Sequence, residues 1–174
     1  MRIDGGTLNV ANLGGSATGV GTVQVSAGTL GGTGIIAGPT IVGTGNGGSA
    51  FLAPALGIEQ PLTLTLQSTL TFKADSTYTY AFRAKGNKAQ TDKVIANGVT
   101  IESGASFNFT EQLRGHISQG LVFTVISNTS AAPIVGVFDD LPDGGILTVT
   151  GNNPSRLRRR RWKRSDADGG AVVS

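Results

Sequence analysis

The sequence predicts an all-β chain, with a parallel β-solenoid at its N-terminal end and a β-strand section after it. Three observations carry this. Short runs of Thr, Val, Ile and Leu alternate with glycines over the first third of the chain. Leu8, Leu30 and Leu52 stand 22 residues apart, about one coil of a β-helix. The later chain alternates apolar and polar residues with period two, and no segment has the 3.6-residue period of a helix.

The elements follow in order. Of the 27 glycines, 15 lie in residues 1–50, where they mark tight bends and close backbone approach. Between them TLNV (7–10), TVQV (22–25), GIIAG (34–38) and TIV (40–42) read as strands. Gly6-Thr7-Leu8 recurs as Gly28-Thr29-Leu30, and loosely as Ser49-Ala50-Phe51-Leu52. Residues 61–83 place Leu62, Leu64, Leu66, Leu70, Phe72, Tyr78, Tyr80 and Phe82 on one buried face. The polar stretch 84–94 is expected to be a loop. Residues 94–109 give two strands, with turns at Asn97-Gly98 and Ser103-Gly104. LVFTVIS (121–127) and ILTVT, the latter after a Pro-Asp-Gly-Gly turn, complete the series.

At 174 residues the chain is long enough for a sizeable core. It has no cysteine, which excludes disulfides and thiolate metal sites. No apolar run is long enough for a membrane-spanning helix, and MRIDGG lacks the apolar region of a signal peptide. The net charge of +3 hides a split. Residues 1–153 hold seven Lys and Arg against nine Asp and Glu; residues 154–174 hold seven against two. The basic character belongs to the tail.

Read in order, GTLGGTGIIAGPTIVGTGNGGSAFLAPA, LTLTLQSTLTFKADSTYTYAF, DKVIANGVTIESGASFNF, LVFTVIS, LPDG and GNN form a longer pattern over residues 5–153. Its most specific pieces are Gly31-Gly32-Thr33-Gly34, Leu52-Ala53-Pro54, Tyr78 with Phe82, and Asp92-Lys93-Val94. The pattern resembles the C-terminal section of the autotransporter-associated β-strand repeat proteins, which are bacterial surface or secreted passengers. The resemblance implies a parallel right-handed β-helix-like solenoid with a C-terminal β-strand section. Residues 1–60 would be Gly-rich coils, 61–153 the C-terminal β section, and 154–174 a tail. It also implies export to the cell surface or beyond, with no catalytic residue, no cofactor and no metal. The partner would be a surface or matrix ligand of unknown identity. Ala55 departs from the pattern, where Gly often follows the Pro, so a looser turn is expected there.

The tail RLRRRRWKR is foreign to that pattern. Codons can be chosen for residues 154–170 that, read one base out of frame, give Gln-Ala-Asp-Tyr-Ala-Gly-Gly-Asp-Gly-Ser-Asp-Leu-Thr-Leu-Thr-Val, the family's ending. A reading-frame slip just after Asn153, leaving residues 154–174 disordered, is the expectation. Taken at face value, Arg156, Arg158, Arg159, Arg160, Arg161, Trp162, Lys163 and Arg164 form a cationic patch for polyanions. Sequence-specific nucleic-acid binding is not expected, because the body is net negative and has no recognition helix.

Other candidates are weaker. Gly32-Thr33-Gly34-Ile35-Ile36-Ala37 fits G-x-G-x-x-A, but no helix is expected to open on it. His116 is the one histidine and lies in a polar stretch without a zinc spacing. Asp139, Asp140 and Asp143 read first as turn residues, and only second as calcium ligands. A carbohydrate-active β-helix is the competing function. It would need converging carboxylates, and residues 1–60 offer only Arg2, Asp4 and Glu59 as charges.

Overall fold

The computed structural model describes residues 1–56, 62–85, 88–114, 123–142, 146–150, 157–164 and 171–173. Side chains are described over 1–56, 62–83, 90–110 and 123–142. The fold is all-β, with no helix among the described residues, and its strands form a nine-stranded and a seven-stranded sheet, both mixed.

The first sheet grows outward from β2 (Val23–Gly32). β1 (Arg2–Val10) runs parallel to it, with Thr7 opposite Thr29 and Leu8 opposite Leu30. The front half of β2 pairs in parallel with β4 (Thr40–Val42), which pairs with β7 (Leu70–Phe72), which pairs with β11 (Val99–Ile101). The back half pairs with β5 (Ala50–Leu52), then β8 (Ser76–Lys85), then β12 (Ser106–Arg114). In the second sheet β3 (Ile35–Ile36), β6 (Thr63–Leu66), β10 (Lys93–Ala96) and β13 (Phe123–Asn128) are likewise parallel.

Antiparallel pairs make both sheets mixed. β9 (Lys88–Thr91) folds back on β8, with Phe82 opposite Thr91. The polar stretch expected to be a loop is therefore partly a strand, because pairing with β8 satisfies its backbone whatever its side-chain polarity. β14 (Ile146–Thr150), β15 (Leu157–Arg164) and β16 (Ala171–Val173) pair antiparallel, and β16 joins β13.

The 22-residue leucine spacing is a physical column. Leu8, Leu30, Leu52, Tyr78 and Phe107 are successive register partners. A second column runs Val25, Val42, Phe72, Ile101. Leu30, Leu52, Val42, Phe72 and Tyr78 are all fully buried. One core cluster takes side chains from both sheets, from Ile3 to Leu141.

The column changes from leucine to aromatic where its register step lengthens, from 22 residues up to Leu52 to 26 at Tyr78 and 29 at Phe107. The rings there pack against one another. Tyr78 lies 5.8 Å from Phe72 and 5.7 Å from Phe107, centroid to centroid. Phe138 meets Phe72 edge-on at 5.2 Å. The Tyr78 hydroxyl donates to Val125 O at 3.1 Å, so its one polar group is satisfied inside the core.

Glycine allows the closest stacking. Gly28 has φ +87°, and a Cβ there would stand 2.4 Å from Gly6 O on the neighbouring strand. No other residue fits that approach without moving the backbone.

Candidate functional site

Four charged residues, Lys73, Asp75, Asp92 and Glu102, stand at bends between the strands. β4 pairs with β7 and β5 pairs with β8, so the connection at 43–49 lies beside the one at 73–75. The Asp75 carboxylate reaches across this gap. It accepts from Thr44 N–H at 2.7 Å, Gly45 N–H at 2.7 Å, Gly48 N–H at 2.8 Å and the Thr44 hydroxyl at 2.8 Å. Desolvation pushes this carboxyl up. The hydrogen bonds from Gly45, Gly48 and Thr44 outweigh it and hold Asp75 well below the usual carboxylate range. Both oxygens are thereby committed to fastening a loop.

On the same bend Lys73 Nζ pairs with Glu102, both half-buried. Lys73, Asp75 and Glu102 are the closest the described residues come to the charged face a carbohydrate-active β-helix requires. Its carboxylates are already engaged, one by backbone amides and one by an ammonium group.

Asp92 is the deepest acid among the described residues. It is 1 % exposed and accepts from Leu62 N–H at 2.8 Å, Ala81 N–H at 3.1 Å and Ala55 N–H at 3.3 Å. Desolvation raises its pKa above the ordinary value, and the three amide bonds oppose that rise without cancelling it. Two pieces singled out in the sequence thus meet: the Leu52-Ala53-Pro54 segment leads into Ala55, and Asp92 immediately precedes β10. The turn there is pinned and not loose. Leu56 N–H donates to Ala53 O at 2.9 Å, Gly32 N–H donates to Pro54 O at 2.9 Å, and Ala55 is buried. The left-handed conformation falls on Leu56, at φ 50°.

Asn128 was not foreseen as a positioning residue. It is buried, accepts from Gly98 N–H at 2.9 Å and Ser130 N–H at 3.1 Å, and donates to Ala132 O at 2.7 Å. Asn12 and Ser16 do the same earlier, accepting from Ile35 N–H at 2.8 Å and Ala37 N–H at 3.0 Å. The available signal was a lone Asn, Ser or Asp at a bend, with a Gly-containing bend some 20 to 30 residues away.

In the basic tail, Arg156 lies outside the described residues. Arg158, Arg159, Arg160 and Arg161 pair with Val149, Thr148, Leu147 and Ile146. Trp162, Lys163 and Arg164 pair with Val173, Val172 and Ala171. This part of the tail forms the strand β15. The β-rich ILTVT and AVV on either side offer it a backbone template. Strand alternation puts positions 158, 160, 162 and 164 on one face and 159, 161 and 163 on the other.

The other candidates do not assemble. Gly32-Thr33-Gly34 is a bend whose Thr33 and Gly34 amides both donate to Val10 O, and β3 follows it, not a helix. Asp140 accepts from Phe107 N–H at 2.7 Å, as a turn residue would. His116 and Asp143 lie outside the described residues. Among the described residues no group of three His, Cys, Asp or Glu could hold a metal ion. Among the described residues no helix is long and apolar enough to cross a membrane. No family model matches the chain, and no curated protein or solved structure matches it.

Proposed function

We propose that the chain is a non-catalytic structural or adhesive module of an exported, autotransporter-like bacterial surface protein. It is built as a parallel right-handed β-helix-like solenoid. The observation that carries this reading is the column Leu8, Leu30, Leu52, Tyr78, Phe107, held in parallel register across five strands. Stacked coils produce such columns, because each coil buries its apolar face only against its neighbours. Right-handed connections are the rule for parallel crossovers. The engagement of Asp75, Asp92, Asp140 and Glu102 by amides or by Lys73 supports a scaffold over a catalytic face. The module's work is mechanical: it extends and presents a surface that resists force and proteolysis.

The test incubates the purified chain with a panel of polysaccharides and, separately, coats it on beads exposed to host cells and matrix. Bead retention with no release of reducing ends or unsaturated sugars is expected. Release that disappears in Asp75→Asn or Glu102→Gln would overturn the reading in favour of a carbohydrate-active enzyme.

A second reading is polyanion binding through the tail. Its support is the pairing of positions 157–164 as one strand, which keeps seven cationic or aromatic positions in line. It is compatible with the first reading, since a surface module can also carry a charged strip.

A further inference from the structure

The sequence contains two Asn-Gly pairs, Asn46-Gly47 and Asn97-Gly98. Both asparagines are exposed. Chemically they are equivalent, because glycine leaves its backbone nitrogen open to the preceding asparagine side chain. The fold treats them differently.

Gly98 is locked. Its N–H donates to the buried Asn128 Oδ1 at 2.9 Å, and its carbonyl accepts from Leu70 N–H at 2.9 Å. Asn97 N–H donates to Ser68 O at 3.1 Å, which fixes the turn from the other side. Gly47 is open. Among the described residues its N–H makes no hydrogen bond, and nothing lies within 4 Å of where its Cβ would stand. The Asp75 clasp takes the amides of Thr44, Gly45 and Gly48 and skips the one between Gly45 and Gly48 that follows Asn46. Asn46 N–H is held by the Thr44 hydroxyl at 3.1 Å, so the loop is fastened on both sides of a free nucleophile.

We propose that Asn46-Gly47 is a site of spontaneous backbone rearrangement, from asparagine to isoaspartate and aspartate, and that Asn97-Gly98 is protected from it. The Gly47 nitrogen loses its proton to base and forms a bond to Asn46 Cγ. The side-chain nitrogen leaves as ammonia, closing a succinimide. Water then opens the ring at either carbonyl, giving aspartate or isoaspartate with no redox change. The product places a new carboxylate in the loop that Asp75 fastens, and the isoaspartate form adds a methylene to its backbone. Both changes weaken the clasp, through like-charge repulsion and through shifted amides. The isoaspartyl product is a substrate for the class of methyltransferases that recognise that linkage.

For Asn97 to react, the Gly98 amide must first leave Asn128. Folded full-length chain is held in mildly alkaline buffer, and the two sites are followed by peptide mapping and enzymatic isoaspartate labelling. Asn46 is expected to convert at least about tenfold faster than Asn97, the factor set by ~1.4 kcal/mol of local opening. In urea the two rates should converge, because the difference lies in the fold. The variant Asn128→Ala should speed Asn97 and leave Asn46 unchanged. Equal rates in the native buffer, or faster conversion at Asn97, would overturn the proposal.

Discussion

Single side chains decide how the bends hold. Removing the Asp92 carboxylate leaves the amides of Ala55, Leu62 and Ala81 without an acceptor in a dry site. Asp92→Ala should therefore cost about 3 kcal/mol, read as a lowered denaturation midpoint. Asp92→Asn should cost less, since one acceptor oxygen remains. Asp75 and Asp92 also give opposite pH dependence. Asp75 titrates lower in the fold than its ordinary 3.8, so its contribution is complete above that value and is lost as pH falls through the folded pKa. Asp92 titrates higher in the fold, so stability is greatest where it is protonated. That stability is lost as pH rises from 3.8 through its raised pKa. Chemical denaturation across the acid range should show Asp75→Asn with a shallower acid loss. Asp92→Asn should lack the decline on the higher-pH side. An acid limb unchanged in Asp75→Asn would mean its amide bonds do not differ in strength between the two protonation states.

Elements were legible where their period was undisturbed. TIV, Ile35-Ile36 of GIIAG, the alternating apolar residues from Leu64 to Phe82 and ILTVT fall on strands, because period two with β-branched residues has one physical reading. The leucine repeat was legible only to Leu52, since the next register steps are 26 residues to Tyr78 and 29 to Phe107. A column that widens and switches to rings leaves no fixed spacing to find. β9 was missed because a polar strand has no amphipathic signature, and the Asp75 and Asp92 bends because their partners lie far away in sequence. Column position also sets mutational cost. Leu30 is fully buried between Leu8 and Leu52, neither of which can collapse into its space. Leu30→Ala should destabilise by about 3–4 kcal/mol. Leu8→Ala, half-buried at the outer strand, should cost well under half of that. Equal losses in urea melts would show that the outer strand β1 packs as tightly as β2 inside the sheet.

For the whole molecule the question is how a net-negative body and a basic terminal strip coexist. Residues 1–153 carry two more acids than bases, while residues 154–174 carry five more bases than acids. The strip lies on β15, next to β14, the edge strand of the second sheet farthest from β3. Charge at that end adds little to the core, which runs from Ile3 to Leu141. Its effect should appear in association, as counterion release from a polyanion. With seven cationic residues from Arg156 to Arg164, affinity for single-stranded nucleic acid should fall with a log–log salt slope of about −5. The triple variant Arg158→Thr, Arg160→Thr and Lys163→Thr keeps strand-forming residues in β15. It should flatten that slope by about 2 while leaving the melting temperature of the body in place. A slope that stays steep in the variant would move polyanion binding off the tail and onto the Lys and Arg residues of the body. A melt that shifts along with the slope would make β15 part of the structural core, with its charge incidental to its packing.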